Sequence, residues 1–262
     1  MRATPRLTAL LLAAFSAPLA AQVINIDFDE SAISPVFSGL AAAPDPSGTA
    51  AVWNQMYGSG NAVLVASGLR NSADEVTGVG ISLGINGSYT STAGQQENGG
   101  ASLVYQNLMA DYVFLSAPTN LEVMTQYGAI TGLDPLKLYD IYLYAQGNNF
   151  SGQYSDGQNA LITINGVSKQ TSWDGVIGGN GLLAEGIEYV RFSVLPDPTG
   201  RVDFSYANVV AGVNATTDLD GMSSRFAAIN AIQIVDVAAV PEPAVTMLGA
   251  IGLLALLRRR RP

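Results

Sequence analysis

Short runs in which apolar and polar residues alternate, separated by Gly, Asn, Asp, Ser and Pro, fill the chain between its two ends. A period of two marks strands half-buried in a sheet. The pattern predicts strands over 23–28, 50–54, 62–66, 76–85, 121–131, 138–146, 159–165, 187–195, 200–206 and 229–237. Ile164-Asn165-Gly166-Val167 sets an Asn-Gly pair between two such runs, and Asp197-Pro198-Thr199-Gly200 is a second strong turn signal. Their spacing and these turns favour an antiparallel sandwich over a βαβ array. One segment breaks the period: over 102–114, Leu103, Leu108, Met109 and Tyr112 share one side at helical spacing and predict a helix. No internal repeat or linker divides the body. The expected fold is all-β, a single antiparallel β-sandwich with one short helix, over residues 22–240.

Both ends depart from this pattern. At the start, Arg2 and Arg6 precede an apolar run, Leu7 to Phe15, followed by Pro18 and the small residues of Leu19-Ala20-Ala21. This order is that of a secretory signal peptide cleaved after Ala21; the run is too short for a membrane span. At the other end, Val240-Pro241-Glu242-Pro243 precedes the apolar stretch Ala244 to Leu257, then Arg258, Arg259, Arg260, Arg261 and Pro262. Pro241 and Pro243 stop the preceding strand, since neither fits inside a helix or a central strand. As a helix the 14 apolar residues would reach roughly 21 Å, against a hydrocarbon core of about 30 Å. Snorkelling arginines shorten that gap, and by the positive-inside rule they hold the body on the far side of the inner membrane.

The Pro241-Glu242-Pro243 triplet, the hydrophobic helix and the cluster Arg258–Arg261, in this order, resemble a PEP-CTERM sorting signal over residues 241–262. The resemblance implies export through the Sec translocon and an inner-membrane intermediate held only by its tail. Processing by a membrane-embedded exosortase follows, with a final place at the cell surface or in the exopolysaccharide matrix of a Gram-negative bacterium. The plainer alternative is an uncut membrane anchor. Scattered pieces of the body resemble the β-sandwich of many proteins that carry this tail, a jelly roll related to galactose-binding-like modules. They are Ile26-Asp27-Phe28, Pro44-Asp45 with Val52-Trp53-Asn54, Leu108 to Tyr112, Tyr139 to Tyr144, and Ile229 to Ile234. That likeness implies a fold and carries no ligand-binding residues with it.

Composition removes whole classes of chemistry. The chain has no His and no Cys. A Ser-His-Asp triad, a cysteine nucleophile, and zinc, haem or iron-sulfur ligation by those side chains are therefore excluded. Gly80-Ile81-Ser82-Leu83-Gly84 fits the G-x-S-x-G nucleophile pattern but lacks a histidine base, and reads as a strand with glycines at close approach. Gly179-Asn180-Gly181-Leu182-Leu183-Ala184 fits a dinucleotide fingerprint with no βαβ unit around it, and reads as a loop. Between Val23 and Val240, 20 acids face 6 bases, a net charge of 6 − 20 = −14, which repels nucleic acid and anionic lipid. A carboxylate pair could hydrolyse a glycosidic bond without histidine, but sequence spacing places no two acids across a cleft. The expectation is no catalysis and no cofactor, with a structural Ca²⁺ as the one ion the oxygen ligands suit. Two clusters offer such ligands: Asp218 and Asp220 in Asp218-Leu219-Asp220-Gly221, and Asp27 with Asp29 and Glu30. The competing reading of each is an acidic turn facing water.

For carbohydrate, the informative residues are aromatics that stack on a sugar ring beside polar side chains that bond its hydroxyls. Trp173 in Thr171-Ser172-Trp173-Asp174-Gly175 and Tyr154 in Gln153-Tyr154-Ser155-Asp156 sit in polar loops. Alternation along 138–146 puts Tyr139, Ile141 and Leu143 on one face and Asp140, Tyr142 and Tyr144 on the other, which predicts an exposed tyrosine pair. Trp53 is a weaker candidate, because it follows Val52 in an apolar strand and reads first as core. The expected function is a non-catalytic exported protein that binds carbohydrate. The rivals are a structural or adhesive protein that contacts protein partners through strand edges and, behind it, a carboxylate-based glycan hydrolase.

Overall fold

The structure is a computed structural model that describes residues 23–45, 52–90, 105–147, 158–172, 181–216 and 223–237. Residues 1–22 and 238–262, with Tyr154, Trp173, Asp218 and Asp220, lie outside the described residues. The chain divides into Met1–Ala20 with Pro241–Pro262 on one side and Ala21–Val240 on the other; the second unit holds the fold.

The strands run β1 (Val23–Asp29), β2 (Trp53–Tyr57), β3 (Ala62–Ala66), β4 (Gly80–Ile85) and β5 (Gly87–Thr90). One helical turn follows, α1 (Gln106–Met109), then β6 (Asp111–Ser116), β7 (Thr125–Thr131), β8 (Tyr139–Tyr144) and β9 (Ala160–Ile164). Last come β10 (Val167–Gln170), β11 (Tyr189–Val194), β12 (Val202–Asn208), β13 (Phe226–Ile229) and β14 (Ala231–Asp236). They form a five-stranded sheet in the order β11-β8-β14-β1-β2, a six-stranded sheet β10-β9-β12-β7-β4-β3, and a small sheet β13-β6-β5. Every pairing of these strands is antiparallel except β1 with β2. The fold is all-β and sandwich-like.

Period-two burial builds the main core. Ile26, Phe28, Ile141, Leu143, Ile232 and Ile234 of the five-stranded sheet share one cluster with Leu83, Ile130, Ile162, Phe204 and Tyr206 of the six-stranded sheet. Val113, Leu115, Ala227 and Ile229 of the small sheet join it. Each fully buried Leu, Ile or Phe contributes about 1.5–3 kcal/mol through lost contact with water. The Asn165-Gly166 turn forms as the pair demands: both residues take positive φ, 50° and 77°, and β9 folds directly back into β10.

The segment 102–114 departs from expectation. Residues 102–104, with Leu103, lie outside the described residues; from 105 onward the helix is a single turn, Gln106–Met109, and Asp111–Ser116 is a strand paired on both sides, by β5 and β13. A lone helical turn is costly to nucleate, whereas the β-branched and aromatic run Tyr112-Val113-Phe114 suits a central strand. Leu108, Met109 and Tyr112 are buried as the apolar pattern requires, but in a turn followed by a strand.

The exposed tyrosine pair is a second correction. Alternation holds, with Tyr139, Ile141 and Leu143 in the main core, yet Tyr142 is 4% exposed and Tyr144 0%. A second core covers the outer face of the five-stranded sheet. Phe37 and Ala43 of the loop after β1, with Leu108 and Met109, pack onto Val23, Trp53, Tyr142, Tyr144 and Val235. Trp53 belongs here too, 8% exposed, edge-on to Phe37 at 5.1 Å, with its ring N–H donating to the Gly39 carbonyl at 3.1 Å. Its reading as core holds, and none of these three rings offers a free face to a sugar.

A polar relay fastens the covering loop. The Ala42 N–H donates to the Tyr144 hydroxyl at 2.8 Å, and that hydroxyl donates to Gln233 Oε1. The Ala43 N–H donates to the same Gln233 oxygen at 3.0 Å, and Gln233 Nε2 donates to Asn25 Oδ1 at 2.7 Å.

Candidate functional site

The six-stranded sheet leaves its outer face open among the described residues. Strand β7 alternates: Gly128 and Ile130 point into the sandwich, Tyr127 and Ala129 point away from it. The Tyr127 side chain is 70% exposed, an unusual surface for a tyrosine in the middle of a sheet. Its neighbours are small. Ser205 stands opposite on β12, followed by Thr163 on β9 and Ser168 on β10. On the other side lies Gly84, where a Cβ would come within 3.4 Å of the Tyr127 carbonyl.

The adjoining row reads Val65, Ser82, Ala129, Asp203 across β3, β4, β7 and β12. A shallow cleft of about 180 Å³ opens beside Tyr127, lined by Ser82, Tyr127, Gly128, Ala129, Arg201, Asp203 and Phe204. Asp203 is fixed by Arg201, whose Nη2 lies 2.6 Å and Nε 2.8 Å from the same carboxylate oxygen. The Asp203 hydrogen bond shifts the Arg201 guanidinium upward from its ordinary range. Arg201 is itself positioned by the Asp197 turn, in which Asp197 Oδ1 accepts the Arg201 N–H at 3.0 Å and the Thr199 hydroxyl at 2.7 Å. The cleft thus joins one flat aromatic ring, a floor of small residues, a hydroxyl and an ion pair. Such a surface takes a ligand with an apolar face and hydroxyl edges.

Sequence reasoning placed Tyr127 in a strand without separating its faces. The signal was present: Gly128 and Ile130 share the inward face, and Tyr127 lies on the other. Ser82, the centre of Gly80-Ile81-Ser82-Leu83-Gly84, lies on β4 as read, with a Cβ at Gly80 or Gly84 meeting neighbours at 2.8 or 2.6 Å. A second crevice, of about 210 Å³, opens at one end of the sandwich beside Asp134, Lys137 and Asp236. There Lys137 Nζ is tied to Asp236 at 2.7 Å, a contact that closes the end of the sandwich rather than presenting free groups.

Acidic residues gather elsewhere. Asp27 and Asp29 lie on the outer face of β1, and Asp111 opens β6; all three are buried, while Glu30 is exposed. The Phe37 N–H donates to Asp27 Oδ2 at 2.7 Å, and Gln55 Nε2 reaches the Ser34 carbonyl at 3.1 Å. Burial, then the Asp29 charge, pushes the Asp27 carboxyl up to about 9. Burial likewise raises Asp29 and Asp111, which lie against each other. The acidic run Asp27, Asp29, Glu30 was visible in sequence, but Asp111 was hidden by the helix expected around it. Among the described residues no group of three His, Cys, Asp or Glu side chains is placed so that it could hold a metal ion.

Among the described residues no helix is long and apolar enough to cross a membrane. Compared with known proteins, the chain matches no family model, and no curated protein matches it significantly.

Proposed function

We propose that this is a non-catalytic exported protein, sorted by an exosortase-type system to the cell surface or exopolysaccharide matrix, whose six-stranded sheet binds carbohydrate on its outer face. The observation that carries the binding reading is Tyr127, an exposed ring in a cleft whose polar lining includes Ser82, Arg201 and Asp203. A pyranose has an apolar face of C–H groups and an edge of hydroxyls. The ring receives the first, and Ser82 with the Arg201–Asp203 pair bonds the second. The sorting half of the proposal rests on Pro241, Glu242, Pro243 and Arg258–Arg261, and the jelly-roll, galactose-binding-like assignment rests on the sequence likeness together with the sandwich-like fold.

The test is retention of the Ala21–Val240 unit on exopolysaccharide from its own host. Saturable retention that Tyr127→Ala abolishes supports the cleft; retention lost only in Trp173→Ala or Tyr154→Ala moves the site to those loops. A second reading, a structural or adhesive protein that pairs through strand edges, is favoured by β3. It is an edge strand of sequence Ala62-Val63-Leu64-Val65-Ala66 with Val63 and Val65 exposed and no charge or proline to block pairing. Absence of glycan retention, with self-association abolished by Val65→Lys, supports that reading instead.

A further inference from the structure

We infer that the partner of the β3 edge is a second copy of this chain, the two β3 strands pairing antiparallel about a two-fold axis at Leu64. This rests on the strand-edge reading of β3 and adds to it a partner and a register. Four edges bound the two large sheets: β11 and β2 of one, β10 and β3 of the other. Three of them are guarded by charge. On β10, Lys169 Nζ donates to Glu185 Oε1 and to the Arg191 carbonyl. Strand β11 carries Arg191, drawn to Asp140 and Glu185. Arg70 is fastened to β2: its N–H donates to Asn54 Oδ1 and its carbonyl accepts from Asn54 Nδ2, both at 2.8 Å. Charges on an edge oppose pairing with another chain, because pairing strips them of water. Strand β3 has no such guard. Among the described residues, the hydrogen bonds of Ala62–Ala66 are those of its ladder with β4, which leaves a row of backbone groups unpaired on the other side.

Charge and sequence together select the occupant. From Pro46 to Leu69 the chain has no charged residue. Two bodies of net charge −14 repel each other, and this bare edge is where they meet at least cost. The strand is also its own complement. Ala62-Val63-Leu64-Val65-Ala66 reads the same in both directions, so an antiparallel copy centred on Leu64 sets Val63 against Val65 and Leu64 against Leu64. Val63 and Val65 are 67% and 74% exposed and lie on the open face with Tyr127; pairing buries them as one ridge of cross-strand valines. The two Leu64 side chains meet on the side of the main core. A two-fold axis perpendicular to the sheet keeps the open faces of both copies on one side. The Tyr127 rings then stand five strand spacings, about 24 Å, apart on a continuous sheet. A polysaccharide that reaches both clefts gains from bivalency, the one consequence that needs the glycan reading. A single short strand per copy is a small contact, so the dimer is weak, with a dissociation constant on the order of 100 μM.

The experiment is sedimentation of the Ala21–Val240 unit, without glycan, from about 10 μM to about 1 mM. The parent passes from monomer to dimer, more completely at about 0.5 M salt than at about 0.02 M, because salt screens the repulsion and spares the apolar ridge. Val65→Lys stays monomeric throughout, although it lowers the net negative charge. With no Cys in the chain, introduced cysteines report the register. Under a mild oxidant, a mixture of Val63→Cys and Val65→Cys forms disulfide dimers at least about tenfold faster than either protein alone. A parent monomeric at about 1 mM, or a dimer that Val65→Lys retains, overturns the inference. A dimer lost in Val65→Lys, whose cysteine mixture reacts no faster than the single proteins, keeps edge pairing but overturns the two-fold register and the inference with it. Glycan retention through Tyr127 enters none of these measurements.

Discussion

Removing one hydroxyl from the second core separates a packing residue from a binding one. Tyr144 is fully buried, and its oxygen both accepts the Ala42 N–H and donates to Gln233. Tyr144→Phe keeps the ring but removes the partner of the half-buried Ala42 N–H and the buried donor to Gln233, so stability should fall by about 1–3 kcal/mol, read by urea unfolding. Tyr127→Ala removes an exposed ring and should change stability by less than about 0.5 kcal/mol in the same measurement. The contrast also shows where sequence reasoning stopped. Alternation assigned the two faces of 138–146 correctly, but it treats the face away from the core as wet. Tyr142 and Tyr144 are dry because residues 37–43 fold back over them, and nothing local to the strand announces a cover fastened from a distant part of the chain.

At the scale of elements, the turns and strands were the most legible part. Strand 62–66 has the bounds its pattern predicted, and the Asn165-Gly166 hairpin has the positive φ values that pair supplies. The failures were β5, β10 and β13, strands of four residues too short to show an alternation, and β6, whose apolar residues fit a helix as well as a sheet. Close approach between paired strands of one sheet gives a sharper test than the pattern did. At Gly128 a Cβ would lie 2.2 Å from the Phe204 ring, so Gly128→Ala must push a core aromatic aside and should cost about 1–3 kcal/mol. Equal stability of Gly128→Ala and the parent would contradict the packing described for β7 and β12.

The Asp197 turn carries a pH signature. The Thr199 hydroxyl and the Arg201 and Thr199 N–H groups hold its carboxyl below the ordinary value of 3.8. A lowered native value means that the charged form stabilises the fold above the ordinary carboxylate range, and that this support is lost as pH falls through the native value. Asp197→Ala should therefore melt below the parent at neutral pH, with the gap closing in strong acid. A gap independent of pH would assign the effect to lost turn geometry alone.

For the molecule as a whole, the net charge of −14 between Val23 and Val240 and the absence of His and Cys narrow the chemistry through composition alone. They do not name a site. The proposed binding face draws on strands far apart in sequence, β4, β7 and β12, and only the sheet order brings Ser82, Tyr127 and Asp203 together. The sequence candidates in the described strands became core instead, since Trp53, Tyr142 and Tyr144 face the covered side of the other sheet.

The most direct test of the central claim is the dissociation constant of host exopolysaccharide fragments for the Ala21–Val240 unit and its Tyr127→Ala variant. The account predicts saturable binding by the parent and a loss of at least about tenfold, ~1.4 kcal/mol, in the variant, with melting temperatures that agree. Equal affinities in the two proteins, or no binding by the parent, would contradict it.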